Sequence, residues 1–256
     1  MAPKNLFVSL LLALSIIQCL SVFQPKTLVV VDNDYSKYRF SRFFKSLKRR
    51  GHKLSIKAAS DRSIKLTEYG ESLYSNLILL SPSSEKIGDL KSKDVLSFID
   101  HGNNVFIGSD DSFSSDFTKK IADRCGIELH PTSSKVVDHV NYDLLRSDHS
   151  LHNEVVAVSL SSSSVLFADG SAVPSAPMLY SGIGLSVKKK AHLTHTLLSG
   201  HGATYSINSE GGPMEKAIVA SGPSLSLVAA LQTRSNGRVT VIGSLTALSD
   251  EFGTEF

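Results

Sequence analysis

The chain has 256 residues, 41% of them hydrophobic and 20% charged, an ordinary globular composition with room for one large α/β domain or two small ones. Its formal charge of +3, falling to +2 without Lys4, is too weak and too dispersed to imply nucleic acid. Of the two cysteines, Cys19 lies in an N-terminal apolar run and Cys125 stands alone, so a processed chain has no intramolecular disulfide.

Lys4 supplies a positive start, Leu6 to Ile17 is an apolar run, and small polar residues follow near Ser21. Residues 1–24 therefore read as a cleaved secretory signal, the run falling short of the roughly 20 residues that span a bilayer. No later stretch approaches that length, so the processed chain is expected to lack a membrane span. No Asn-x-Ser/Thr sequon occurs anywhere.

The first element is Thr27 to Val31, a continuous apolar run of the kind that forms a central strand covered on both faces. Asp32-Asn33-Asp34 stops it. Phe40, Phe43, Phe44 and Leu47 then recur at i, i+3, i+4 and i+7, one face of a helix. Lys48, Arg49 and Arg50 suit its last turn, and Gly51 suits a left-handed cap.

Leu54, Ile56 and Ala58 alternate with polar residues as a second strand, and Ile64 to Ser75 reads as a short helix interrupted by Gly70. Leu77 to Leu80 is a third strand, closed by Ser81-Pro82. Val95, Phe98 and Ile99 mark a helix ended by His101-Gly102. Val105 to Ile107 is a fourth strand, running into Gly108-Ser109-Asp110-Asp111. Phe117, Ile121 and Cys125 mark the next helix, with Cys125 read as a buried, inert thiol.

Residues 25–130 thus form a parallel, doubly wound α/β half, whose ligands would bind beyond the strand C-termini. Residues 131–256 read as a strand-rich continuation of the same region. Its pieces are Val136-Val137, Val155 to Val158, Val165 to Phe167 and Met178 to Tyr180. Ser161 to Ser164 is a low-complexity loop, and Pro174 and Pro177 break up the region after it. Leu225 to Gln232 and Arg238 to Ile242 flank Asn236-Gly237, a strong hairpin signal. Lys188-Lys189-Lys190 reads as a solvated loop.

The search for chemistry is mostly negative. Asp32-Asn33-Asp34 stands where a dinucleotide loop needs glycines, and Gly182-x-Gly184 and Gly200-x-Gly202 lack the third one. Gly222-Pro223-Ser224-Leu225-Ser226 fails the serine-hydrolase elbow at its last position, and Cys125 closes a helix rather than a strand. The spacings His149/His152 and His192/His195, with His201 nearby, read as exposed loop histidines rather than a metal site. Asp32, Asp34, Asp110 and Asp111 end neighbouring strands. They are read as turn and cap residues in preference to an acid–base pair or a cation site. No catalytic, cofactor-binding or metal residue is assigned, and no cofactor is expected.

Several blocks, in order along the chain, resemble one family. They are Thr27 to Asn33, Phe43 to Gly51, Tyr69 to Ile78, Phe98 to Gly102, Cys125 to Glu128, Val137 to Asp143, Leu231 to Val239 and Gly243 to Leu245. The chain resembles the non-catalytic 48 kDa subunits of dolichyl-diphosphooligosaccharide–protein glycosyltransferase. That resemblance implies a type I membrane protein of the endoplasmic reticulum, acting on the lumenal side. It implies a complex that transfers a preassembled oligosaccharide from dolichyl diphosphate to asparagine. Catalysis would belong to another, multi-span subunit, and this one would support assembly and stability. It also implies a glutamine-amidotransferase-like fold, used for contacts. Family members continue with a β-rich segment and a C-terminal membrane helix, so a chain ending at Phe256 is expected to be a shortened form, and membrane association would depend on that absent helix. The alternatives are a lumenal carboxylate-dependent hydrolase using Asp32, Asp34, Asp110 and Asp111 at the strand ends, and a glycan-binding module, for which a chain without Trp offers poor stacking material.

Overall fold

Leu28, Val29, Val30 and Val31 are all fully buried, so strand β1 (Lys26–Val31) is covered on both faces. It belongs to a computed structural model that describes residues 24–146, 151–160, 177–208 and 218–252. The apolar run Leu6 to Ile17, His149, Ser161 to Ser164, Val165 to Phe167 and Pro174 lie outside those residues.

Strand β2 (Lys53–Ala58) and strand β3 (Asn76–Leu80) flank β1 in parallel, and strand β4 (Asn104–Gly108) pairs in parallel with β3. These pairings give the order β2-β1-β3-β4. Helix α1 (Ser41–Arg49) brings Phe44 onto one face, where it packs with Phe40, Val29, Val31, Ile78 and Leu80. Helix α2 (Ser92–Asp100) and helix α3 (Asp116–Arg124) cover the other face with Val95, Phe98, Ile99 and Ile121. Gly51 at φ +88° and Gly102 at φ +84° provide the left-handed turns that end α1 and α2. Cys125 caps α3, and burial pushes its thiol up to about 12, which leaves it inert.

One expected helix is absent. Ile64 to Ser75 contains no helix. Thr67–Glu68 and Glu71–Ser72 form a minimal antiparallel ladder instead. Its two turn residues, Tyr69 at φ +50° and Gly70 at φ +86°, both sit in the left-handed region of a primed hairpin turn. Tyr69, expected on a buried face, is fully exposed, while Ile64 and Leu66 are buried.

Besides the two-residue strand Ser159–Leu160, ten further strands follow β4 among the described residues. They are β5 (Ile127–Leu129), β6 (Ser134–Asp138), β7 (Val155–Ala157), β8 (Met178–Tyr180) and β9 (Leu185–Val187). Then come β10 (Thr194–Ser199), β11 (Thr204–Asn208), β12 (Ile218–Ser221), β13 (Ser226–Gln232) and β14 (Arg238–Ile242). The hairpin signal is met: β13 and β14 pair antiparallel across a turn with Asn236 at φ +67°. The far edge of β14 then pairs in parallel with β4, placing Val239 beside Val105 and Ile242 beside Gly108. A single large sheet results, in the order β10-β13-β14-β4-β3-β1-β2. The short strand Ser159–Leu160 adds beyond β10, and β9 links β13 to β5. Strands β6, β11 and β12 form a separate antiparallel sheet, and β7 pairs with β8. A second core, with Val136, Val155, Tyr180, Leu198, Leu225 and Leu227, lies under them.

Two features hold the chain's ends to its middle. The carboxylate of Asp250 accepts from the backbone N–H of Ser41 at 3.1 Å, the N–H of Arg42 at 2.9 Å and the Ser41 hydroxyl at 2.5 Å. It caps α1 from 209 residues away. Elsewhere the backbone of Gly182 and Ile183 runs against that of Gly243. A Cβ on Gly182 would stand 2.2 Å from the Gly243 carbonyl oxygen, and one on Gly243 would stand 2.1 Å from that of Ile183. The buried Tyr180 hydroxyl donates to the Ile183 carbonyl at 2.5 Å beside them.

Gly182→Ala and Gly243→Ala are each expected to cost about 2–3 kcal/mol, because backbone rather than a yielding side chain blocks the new methyl. Gly202→Ala, with nothing within 4 Å of the added carbon, is expected to stay within about 0.5 kcal/mol of the parent. Urea unfolding of the three variants checks the contrast. Asp250→Ala should cost about 1 kcal/mol at neutral pH. Burial works to raise the Asp250 pKa, but the bonds from Ser41 and Arg42 outweigh it and hold the carboxyl below its usual value. Its contribution is thus present above about pH 4 and fades as pH falls, so melts of parent and variant should converge in acid.

Candidate functional site

In this sheet the chain leaves β1 for β2 on one side and returns to β3 on the other. The reversal leaves a crevice beyond the strand C-termini. A cavity of about 240 Å³ occupies that place, lined by Asp32 after β1, Leu80, Pro82 and Ser83 after β3, and Asp110, Ser112 and Phe113 after β4. Ser36, Arg39 and Phe40 close it from the 3-10 turn (Ser36–Phe40) that leads into α1, and Leu245 closes it from the segment after β14.

The acidic residues singled out in the sequence divide. Asp32 and Asp110 both line the crevice, while Asp34 is exposed and does not. Asp111 turns to Lys135, 3.8 Å away. The Ser84 hydroxyl donates to Asp32 at 2.7 Å, and the Asp111 N–H donates to Asp110 at 2.8 Å. Asn33 takes the turn role expected of this stretch, accepting from the N–H groups of Tyr35 and Ser36 at 3.0 Å each. Burial pushes the Asp110 carboxyl up to about 6, with the adjoining Asp111 adding to the shift and Arg39 opposing it.

Arg39 and Phe113 escaped the sequence reading. Arg39 looks like one more cation in a basic stretch, but its Nε is buried with no hydrogen-bond partner among the described residues. The hydroxyls of Ser81 and Ser109, at the ends of β3 and β4, are buried and unpartnered likewise. Phe113 is 59% exposed at the crevice mouth. The lining contains neither histidine nor cysteine, so no Ser–His or Cys–His pair forms there.

The histidines meet in a way that their spacing does not show. His152 faces His139, with their Nδ1 atoms in hydrogen-bond contact, and stacks on Tyr142 at 4.0 Å between ring centres. His139 Nε2 bonds to the Tyr205 hydroxyl at 2.7 Å. His201 lies near Asn141, 3.3 Å between nitrogens, while His192 and His195 are exposed. Among the described residues no three His, Cys, Asp or Glu side chains gather as metal ligands. His130, unremarkable in the sequence, is buried between the Ser206 hydroxyl at 2.9 Å and the Ser186 hydroxyl at 2.8 Å, and burial lowers its pKa to about 4. It is a polar tie between two sheets. Gly222 to Ser224 form a single turn of 3-10 helix between β12 and β13, so a strand rather than the helix of a nucleophile elbow follows Ser224.

Residues 18–255 match the family described as OST48, N-terminal domain. The chain is 38% identical over 251 residues to the dolichyl-diphosphooligosaccharide–protein glycosyltransferase 48 kDa subunit of Drosophila melanogaster, covering 94% of this chain and 54% of that one. The subunit of the same name from Arabidopsis thaliana is 34% identical over 229 residues, 88% of this chain and 51% of its own. That of Danio rerio is 35% identical over 228 residues, 89% of this chain and 51% of its own. The chain therefore spans about half the length of these curated relatives. Among solved structures, a ThuA-like protein from Parabacteroides merdae aligns with 86% of this chain and 78% of its own. Its TM-score is 0.41 at 10% identity.

Asp110→Asn tests the electrostatics of the crevice. A carboxyl raised in the folded state adds stability that is complete below about pH 4 and is lost as pH rises through about 6. The variant should therefore melt a few degrees above the parent at about pH 7.5 and together with it at about pH 4. A variant that melts lower at neutral pH would show that the ionised carboxylate is held by partners rather than tolerated.

Proposed function

Since the chain belongs to the OST48 family through its N-terminal domain, we propose that it is the lumenal N-terminal part of a non-catalytic subunit of the oligosaccharyltransferase complex. The match over residues 18–255 carries this reading. In it the subunit supports assembly and stability of a complex whose multi-span catalytic subunit transfers a preassembled oligosaccharide from dolichyl diphosphate to asparagine. Residues 1–24 act as the secretory signal, residues 25–130 supply the parallel part and residues 131–256 its strand-rich continuation, on the lumenal side of the endoplasmic reticulum. Among the described residues no helix is long and apolar enough to cross a membrane. Anchoring in this reading falls to a C-terminal helix of the full-length family.

The scaffold reading goes one step further. The order β2-β1-β3-β4, with α1 on one face and α2 and α3 on the other, supports a glutamine-amidotransferase-like fold used for contacts. Neither a carboxylate-dependent hydrolase nor a free glycan-binding module is favoured by the family match.

Affinity purification of the tagged full-length protein is expected to recover the catalytic subunit, and depletion is expected to leave secretory glycoproteins underglycosylated on a mobility gel. Normal glycosylation after complete depletion would overturn the proposal.

A further inference from the structure

A cavity larger than the crevice lies elsewhere on the described surface. A groove of about 630 Å³ runs between α2, α3 and β5, on the opposite face of the sheet from α1. That volume lies within the range of roughly 300–1,000 Å³ typical of occupied sites. The partly buried Leu96 and Leu129 give it an apolar floor, backed by the fully buried Ile127. Lys93, Lys119, Lys120 and Arg124 stand around that floor, and none has an ion-pair partner among the described residues. Two carboxylates share the lining. Asp123 is already held by Lys188, which leaves Glu128 as the one uncompensated acid there. Strand β5 is paired along one edge only, to β9, among the described residues.

A chain of formal charge +3 thus gathers four uncompensated cations around one apolar floor. A small anion would satisfy the cations and leave the leucines wet. A purely apolar segment would cover the floor and leave the cations without partners. No aromatic side chain lines the groove, so nothing there stacks a base. Both requirements are met together by a polypeptide with carboxylates on either side of apolar anchors. We propose that this groove docks an acidic segment of a partner polypeptide, with its apolar side chains on Leu96 and Leu129 and its carboxylates against Lys93, Lys119, Lys120 and Arg124. The inference stands on the chemistry of the groove and is independent of the assembly reading.

The probe is a fluorescein-labelled synthetic peptide of about 15 residues with Leu at helical spacing and Asp and Glu between, titrated with the purified full chain and read by anisotropy. A second peptide replaces each acid with Lys. A third probe is a vesicle of phosphatidylserine and phosphatidylcholine, read by co-sedimentation. The acidic peptide should bind, more weakly as salt is raised, and the lysine peptide should not. Lys119→Glu with Lys120→Glu should weaken binding about tenfold or more, as reversal of two facing charges does. Leu96→Ser should weaken it without altering charge, circular dichroism confirming that each variant is folded. Equal binding by the charge-reversed variant would overturn the inference. So would vesicles that sediment the chain while the acidic peptide leaves it free, since the face would then be a lipid surface.

Discussion

The parallel pairing of Arg238–Ile242 with Asn104–Gly108 is the contact on which the molecule depends. Strand β4 already uses its other edge for β3, so without β14 it would end the sheet with an open row of backbone groups. Strand β14 closes that edge and brings β13 with it, and β13 carries β9 and β10. Part of the second half of the chain is therefore an extension of the first half's sheet, while β6, β11 and β12, and β7 with β8, pair separately. Val239 and Val241 enter the core of the first half, while Ile242 packs into that of the second. Closing so long a loop is costly in chain entropy, and the burial of these residues offsets it. The Asp250 cap on α1 and the backbone contact between Gly182 and Gly243 lie close in sequence to the same strand and hold the same arrangement.

That closure also completes the crevice. Leu245, only a few residues beyond β14, forms one of its walls opposite Asp32 and Ser83. The carboxylates there lie where strand ends meet, which is where an α/β sheet places ligands, yet their partners are turn N–H groups and serine hydroxyls. An Asp110 carboxyl held near neutrality by burial is a group the fold tolerates at some cost. The groove on the other face has the opposite character, cationic and apolar. The two faces of one sheet thus present different chemistry to their surroundings.

Where local physics decides, the sequence was a sound guide. The apolar run Thr27 to Val31, the phenylalanine spacing before Gly51 and the Asn236-Gly237 turn all became what their periodicity and turn chemistry required. The misreading of Ile64 to Ser75 has a local cause too. Leu66, Tyr69 and Leu73 fit a helical spacing, but two consecutive left-handed residues at Tyr69 and Gly70 commit the backbone to a hairpin. Of the crevice, Asp32 and Asp110 were visible because they end strands, whereas Arg39 and Phe113 were not, because nothing in their neighbours marks them as converging.

While Leu185–Val187, Thr194–Ser199, Thr204–Asn208 and Ile218–Ser221 went unread, the sequence by itself determined the strands of the first half with all but one of the helices between them, the terminal hairpin and some short strands of the second half, the burial of Cys125 and the family resemblance. Each of these is written in nearest-neighbour periodicity or in ordered identity along the chain. Only the tertiary structure decided that β14 lies beside β4, that Asp250 caps α1, that His139 meets His152 and that Lys93 shares a groove with Lys119, Lys120 and Arg124. Those pairs are far apart in sequence, and no propensity of either partner encodes the other. They are chosen by which apolar faces can be buried together once the sheet has closed.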